Sequence, residues 1–225
     1  MKKIKVLNLY AVIGGNRKLW ENVDVTAVEF NKDIARIYKD FFPQDEVVIE
    51  DAHEYLLNNY KKYDFIWSSP PCPSHSRTNW FLHGQGHIRY PDMKLYEEIL
   101  FLKHWAKSKK WVVENVIPYY KPLIKPQELG RHYFWANFVI NPIKIDYVDI
   151  GTMNRQASKH AQRRALISEA EVPELVDLHG LDIRKYRHVK NKRRILRNCV
   201  LPKIGTHIFN CAYKEVQFTL GGKNA

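Results

Sequence analysis

Short apolar segments alternate with amphipathic segments along the first half of the chain, and this alternation limits the fold more than any other feature. Strand-like runs rich in β-branched residues occur at residues 4–13, 25–30, 47–49, 63–67 and 111–116. Apolar residues at helical spacing occur between them, at residues 32–42, 52–60 and 92–107. Because such alternation is typical of parallel β-α units, the sequence predicts an α/β fold with a doubly wound, mostly parallel sheet.

Length and composition are those of a globular protein. The 225 residues can bury a substantial core, and 45% of them are hydrophobic and 27% charged. The longest N-terminal apolar run, residues 6–13, is too short to span a membrane and has no signal-peptide cleavage pattern. The three cysteines, Cys72, Cys199 and Cys211, show neither disulfide nor zinc spacing. We therefore expect a cytoplasmic protein without a membrane segment or a bound metal.

Positive charge is in excess and is concentrated in the C-terminal third. Thirty-six Lys and Arg residues against 24 Asp and Glu residues give a net charge of +12. Such an excess favours a polyanionic partner, because phosphate contacts release counterions. A solvated positive face would explain the charge equally well, but the crowding between Arg155 and Arg197, which includes Arg163 and Arg164, favours nucleic acid.

Polar residues follow the first three predicted strands, at the sheet edge where open α/β sheets bind ligands. Gly14 and Gly15 follow the first strand, Glu29 ends the second, and Asp51 follows the third. Glycine lets the backbone approach a ligand, and an acid at a strand end can accept hydrogen bonds from ribose hydroxyls. Each acid alone is equally compatible with solvation, but their order predicts a nucleoside-containing cofactor.

Two further segments carry reactive groups at strand ends. The loop after residues 63–67 holds Cys72 between prolines, and a thiol held in this way can act as a nucleophile. The loop continues to residue 91 without apolar periodicity, which indicates a functional loop. Glu114 and Asn115 end the strand 111–116, where an acid needs either a ligand or an ion-pair partner.

Together these segments resemble the DNA cytosine C5 methyltransferases, over residues 4–212. The resemblance is carried by residues 8–15 (the opening cofactor motif), Pro71-Cys72 (the catalytic dipeptide), Glu114-Asn115-Val116 (the Glu-Asn-Val motif) and residues 197–202 (the segment that completes the cofactor site). The chain departs from the family at Asn8 (usually an acid), Tyr10 (phenylalanine), Val12 (glycine) and Pro73 (glutamine). Of the Gln-x-Arg-x-Arg motif, Gly130-Arg131-His132-Tyr133 keeps at most Arg131.

The resemblance implies S-adenosylmethionine as the cofactor, with Glu29 at the ribose and Asp51 at the adenine amino group. The implied cofactor-binding residues are Tyr10, Ile13, Gly14, Gly15, Glu29, Phe30, Asp51, Ala52, Pro70, Asn198 and Val200. The implied catalytic residues are Cys72, Glu114, Asn115 and Arg131. The candidate nucleic-acid contacts are Ser76, Arg77, Arg155, Arg163 and Arg164.

The family chemistry implies that Cys72 attacks C6 of a flipped cytosine while Glu114 supports N3, so that C5 becomes nucleophilic. DNA is the expected substrate. Two alternatives remain open, namely the same chemistry on RNA and a catalytically silent nucleic-acid-binding relative. We expect a cofactor-binding and catalytic domain over residues 1–143, a reduced basic target-recognition region over 144–195, and a C-terminal segment over 196–225 that returns to the first domain.

Overall fold

The computed structural model describes residues 2–145 and 171–213, which form a seven-stranded sheet flanked by helices. The strands are β1 (Ile4–Leu9), β2 (Val23–Val28), β3 (Glu46–Val48), β4 (Phe65–Ser68), β5 (Lys110–Val116), β6 (Gln127–Leu129) and β7 (His132–Ala136). The α-helices are α1 (Lys32–Phe41), α2 (Ala52–Asn59), α3 (Asn79–Gly84), α4 (Lys94–Trp105), α5 (Val172–His179), α6 (Lys192–Arg197) and α7 (Pro202–Tyr213).

The sheet has the order β3-β2-β1-β4-β5-β7-β6. The first five strands in this order are parallel, and β7 runs antiparallel to both β5 and β6. The predicted α/β fold with a mostly parallel sheet is confirmed. The carboxyl ends of β1, β2, β4 and β5 therefore lie at one edge, where the candidate residues follow the strands.

The sheet is covered on both faces, which explains why its central strands are almost wholly apolar. On one face, Leu56 of α2 and Ile99 of α4 belong to the buried cluster that contains Leu7 and Ile66. A second cluster joins Phe65 of β4 to Phe209 of α7. Among the described residues, α5 and α6 pack with α1 and the loop after β1, so they share a core with the sheet.

The first strand ends earlier than its apolar run. The sequence predicts a strand over residues 4–13, but β1 ends at Leu9 and the chain then turns, with Tyr10 and Val12 at φ values of 54° and 49°. The amide of Ala11 still donates to the carbonyl of Val28, at 3.1 Å. Apolar residues 10–13 therefore form a tight loop over the carboxyl edge instead of extending the strand.

Other elements also differ from the sequence prediction. The loop over residues 68–91 contains the short helix α3, and the C-terminal region contains α5, α6 and α7. Residues 158–170, whose sequence also indicates a helix, lie outside the described residues. None of the helices in residues 2–145 and 171–213 is long and apolar enough to cross a membrane.

Candidate active site

A cavity of about 510 Å³ opens at the carboxyl edge of the sheet. The sequence-predicted residues that line it are Tyr10, Glu29, Phe30, Asp51, Ala52, Pro70, Cys72, Glu114, Asn115, Asn198 and Val200. The predicted residues that do not line it are Ile13, Gly14, Gly15, Ser76, Arg77 and Arg131. The structure therefore brings the reactive groups and the implied cofactor acids to one concave surface.

The loop that carries Cys72 is fastened to the neighbouring strand by Asn115. The side-chain amide of Asn115 donates to the carbonyl of Pro70, at 2.9 Å, and its Oδ1 accepts from the amide of Val116, at 3.0 Å. Asn115 is buried, so these bonds are protected from water. On the other side of the thiol, the carbonyl of Cys72 accepts from the amides of His75 and Ser76. Cys72 is therefore held at a defined place at the end of β4.

The Cys72 thiol is half-buried, and two effects favour its protonated form. Burial raises its pKa above the ordinary value, and the negative charge of Glu114 raises the pKa further. A hydrogen bond from its own backbone amide acts in the opposite direction. Because both effects raise the pKa, the thiol is mostly protonated at neutral pH.

Glu114 is buried at the end of β5 and faces a histidine of β7. The Nε2 atom of His132 lies 3.6 Å from Oε1 of Glu114, and His132 also lines the cavity. The register places Glu114 opposite Phe134 and Val116 opposite His132, so Glu114 and His132 are diagonal neighbours on one face. The adjacent Arg131 is exposed and does not line the cavity.

Glu29 connects two loops of the candidate cofactor site. Its Oε2 accepts from the amide of Val12, at 3.0 Å, and its Oε1 accepts from the amide of Asn31, at 2.9 Å. Burial raises the pKa of Glu29, while these two hydrogen bonds lower it. Each carboxylate oxygen has a second lone pair, so the side chain of Glu29 can still accept a hydrogen bond from a hydroxyl group of a ligand.

Phe30 and Asp51 provide different surfaces to the same cavity. Phe30 is 77% exposed although it is a large apolar ring, which fits a side chain that stacks on a flat ligand. Asp51 is the N-cap of α2, and its Oδ1 accepts from the amide of Glu54, at 3.1 Å. Ala52, which follows it, is the first residue of α2. An exposed ring beside two carboxylates fits a nucleoside and thus S-adenosylmethionine.

Ile13, Gly14 and Gly15 lie behind the cavity wall. Gly14 has a φ of 80°, and a Cβ atom there would lie 2.3 Å from the ring of Phe42. A Cβ atom on Gly15 would lie 2.5 Å from the carbonyl oxygen of Val200. Gly14 therefore permits close packing against Phe42, and Gly15 permits the loop after β1 to contact the C-terminal segment that contributes Asn198 and Val200 to the cavity wall.

A buried polar network beneath the cavity was missed by the sequence analysis. Glu98 of α4 is fully buried and accepts from the hydroxyls of Tyr10, at 2.6 Å, and Ser68, at 2.5 Å. The Nδ1 atom of His53 lies 3.2 Å from the same carboxylate, and this contact raises the pKa of His53. The signal in the sequence is an acid within the apolar stripe Leu95, Ile99 and Leu102 of α4. The network joins α2, α4, β4 and the loop after β1.

Two arginines of α6 also line the cavity and were not predicted as site residues. Arg197 contacts the buried carboxylate of Glu171, with its Nε 2.7 Å from Oε2, and Arg194 is exposed. Both side chains bring positive charge to the cavity wall. The cluster of basic residues near the C-terminus was the available signal, but it did not show which of them reach the cavity.

The predicted nucleic-acid contacts are only partly described. Ser76 is half-buried, and its backbone pairs with Pro118, whereas Arg77 is exposed beside α3. Arg155, Arg163 and Arg164 lie outside the described residues.

Within residues 2–145 and 171–213, no group of three or more His, Cys, Asp and Glu side chains is arranged to hold a metal ion.

The mostly parallel seven-stranded sheet has the fold of S-adenosylmethionine-dependent methyltransferases, and the cavity lies at the edge where such sheets bind ligands. A family model described as the C-5 cytosine-specific DNA methylase matches residues 4–117, which contain Cys72 and Glu114. The chain therefore belongs to this family. No curated protein matches the sequence.

Two solved structures share the overall fold. The methyltransferase EhMeth of Entamoeba histolytica is 12% identical, with a TM-score of 0.55, over 96% of this chain and 100% of that chain. A DNMT2 mutant of Spodoptera frugiperda is 13% identical, with a TM-score of 0.58, over 94% of this chain and 100% of that chain. At these identities the similarity concerns the fold.

Proposed function

We propose that the chain methylates C5 of cytosine in DNA through a covalent adduct with Cys72. The observation that carries the proposal is that Cys72, Glu114 and the acids Glu29 and Asp51 line one cavity. The order of these residues along the chain is that of the resemblance, and the matching family is described as a DNA methylase. The net charge of +12 supports a nucleic-acid substrate.

In the proposed reaction, the cytosine is flipped out of the stack so that its C6 atom can approach Cys72. The thiolate forms an S–C6 bond, and the electron pair of the C5–C6 double bond becomes available at C5. Glu114 supports this step by donating a proton or hydrogen bond to N3 of the ring. When bound, S-adenosylmethionine supplies the methyl group to C5. Loss of the C5 proton to a base then breaks the S–C6 bond and restores Cys72.

His132 gives Glu114 a polar neighbour during this reaction. A buried polar side chain without a polar neighbour is costly, and Nε2 of His132, 3.6 Å from Oε1 of Glu114, can orient this side chain. Asn115 keeps the Cys72 loop against β5, so the thiol and Glu114 remain on the same wall. The chain thereby holds the nucleophile and the N3 partner in a fixed relation before the base enters.

The test uses DNA with 5-fluorocytosine at the target, which should become covalently trapped on the enzyme. Fluorine cannot leave as a proton does, so the S–C6 bond persists after methyl transfer. The adduct should require S-adenosylmethionine, survive denaturing electrophoresis and disappear in Cys72→Ser, because a hydroxyl is a far weaker nucleophile at neutral pH. Cys211→Ser is the matched control, since Cys211 lies in α7 and does not line the cavity.

A second assay, incubation with labelled S-adenosylmethionine and either DNA or tRNA, separates the alternatives. Labelled methyl transfer to tRNA but not to DNA would replace DNA by RNA as the substrate. Absence of methyl transfer to either, with cofactor binding retained, would identify a catalytically silent relative. Methylation by Cys72→Ala, or a trapped peptide that contains Cys199 or Cys211, would refute the proposed mechanism.

A further inference from the structure

Large aromatic side chains are exposed within the loop that carries Cys72. Trp80 and Phe81 of α3 are 62% and 61% exposed, and Tyr90 is 79% exposed. We call these three residues the aromatic surface. Burial of such rings is worth several kcal/mol, so a group of them left in water indicates a surface that meets a partner.

The aromatic surface is attached to the Cys72 loop by hydrogen bonds. Asn79, which is buried at the start of α3, donates to the carbonyl of Pro73 at 2.8 Å, one residue after Cys72. The ring of Trp80 packs edge-on against Tyr119 with a centroid distance of 6.4 Å. The hydroxyl of Tyr119 donates to the carbonyl of Arg89, at 3.1 Å, next to Tyr90. These contacts hold α3 and the segment at Arg89 against the part of the chain that directly follows Cys72.

The charge around these rings fits a polyanion. Residues 73–91 contain Arg77 and Arg89 and no Asp or Glu. Both arginines are exposed. Cations that track a phosphate backbone, together with aromatic faces on which bases stack, are the combination that binds single-stranded nucleic acid. In a closed duplex the base faces are already stacked and cannot reach such rings.

We propose that the aromatic surface stacks on unpaired bases next to the target cytosine, so that the preferred substrate carries this cytosine in a single-stranded or looped segment. This inference rests on the proposed function and adds the class of substrate. It assigns Trp80, Phe81 and Tyr90 to substrate binding. The bound strand would then cross α3 next to the part of the loop that carries Cys72.

The first experiment compares methylation of a duplex, a hairpin loop and a single strand that contain the same cytosine and the same flanking bases. The wild type should prefer the looped and single-stranded forms. The double variant W80A/F81A should raise the KM for these forms about tenfold or more, because stacking on each base is lost. The kcat at saturation and the affinity for S-adenosylmethionine should not change.

Trp105→Ala is the matched control. Trp105 is also an exposed ring, 61% accessible, but it ends α4 at the opposite edge of the sheet, and its removal should leave every substrate unaffected. Equal methylation of duplex and looped substrates by both the wild type and W80A/F81A would overturn the proposal. Equal weakening of substrate binding by Trp105→Ala and W80A/F81A would overturn it as well.

A second measurement does not depend on methyl transfer. Strands with 5-iodouracil beside the cytosine are irradiated in complex with the wild type, and the cross-linked peptides are sequenced. Cross-links at Trp80, Phe81 or Tyr90 support the aromatic surface even if no oligonucleotide is methylated, in which case only the proposed function fails. Cross-links confined to other segments overturn the inference, and a protein partner would then be the remaining explanation for the exposed rings.

Discussion

At the residue scale, the structure places His132 beside Glu114 as a polar neighbour. His132 lies on the same face as Glu114 and 3.6 Å from it, whereas Arg131 is exposed outside the cavity. The arginine that was predicted from the sequence to be catalytic thus does not line the site. We infer that His132 positions the side chain of Glu114.

His132→Ala should lower kcat about 10- to 100-fold, because Glu114 loses its polar neighbour in a buried site. The affinity for S-adenosylmethionine, measured by calorimetry, should stay unchanged. His132→Arg should recover most of the rate, since a guanidinium can contact the same carboxylate. His104→Ala, at the far end of α4, is the control, and equal losses in both alanine variants would contradict the positioning role.

The second residue-scale prediction concerns the acidity of Cys72. The charge of Glu114 contributes to the raised pKa of this thiol, so Glu114→Gln should lower the pKa and move the pH profile of alkylation by iodoacetamide to lower pH. The Cys72 peptide is quantified by mass spectrometry. Cys199, whose pKa burial raises to about 12, is an internal control that should stay unreactive. An unchanged profile for Cys72 would show that Glu114 does not act on the thiol.

At the element scale, the implied cofactor acids also serve the elements that carry them. Asp51 caps α2, and Glu29 ties the loop after β1 to the loop after β2. Loss of either side chain therefore affects local structure as well as the cavity. A test of cofactor binding must separate these two effects.

Glu29→Ala and Asp51→Ala should each weaken S-adenosylmethionine binding, because a hydrogen-bond acceptor disappears from the cavity. Asp51→Ala should also cost about 1 kcal/mol of stability through loss of the N-cap. Asn31→Ala is a matched control, since Asn31 caps α1 but does not line the cavity, and it should lose stability without losing affinity. Calorimetry and denaturant unfolding provide both values, and unchanged affinity in both acid variants would remove the cofactor-site assignment.

At the scale of the whole molecule, the net charge of +12 should govern the attraction to nucleic acid. Some of the basic residues are engaged within the protein, since Arg193 and Arg197 contact Glu171 and Arg184 contacts Asp182. Fewer basic residues of the C-terminal third are therefore available for phosphate contacts than the sequence alone suggests. The contribution of the segment from Arg155 to Arg164 to DNA binding has to be measured with substituted variants.

The triple variant R155Q/R163Q/R164Q should bind DNA more weakly and with a shallower salt dependence. Each lost phosphate contact lowers the slope of log K against log salt by about 0.9 in a duplex. K61Q/K62Q is the control, because these exposed lysines precede β4 and lie at the opposite edge of the sheet. Filter binding over a salt series measures the slopes. A slope that is the same in the triple variant and the wild type would mean that these three arginines are solvated and do not contact DNA phosphates.

The apolar periodicity of the sequence was insufficient to identify the buried face of α4. The helical spacing in residues 92–107 runs through Met93, Tyr96, Leu100, Phe101 and Trp105. Tyr96 is buried as this pattern predicts, but Met93, Leu100 and Trp105 are exposed, and the buried Leu95 and Ile99 are not part of the pattern. That part of the prediction was wrong, because several apolar stripes can be drawn on a helix with this many large residues. Only the position of α4 against β4 and β5 selects the stripe that is buried.

The sequence by itself determined the alternation of strands and helices from β1 to β5, apart from α3, and the acids and the cysteine that follow the strand ends. Apolar β-branched runs separated by helices form a parallel sheet, and the ends of its strands meet at one edge, so Glu29, Cys72 and Glu114 had to lie near each other. Only the tertiary structure decided that His132 lies beside Glu114 and lines the cavity. Successive side chains of a strand point to opposite faces, so this choice depends on the register of β7 against β5, which residues far apart in the chain establish together.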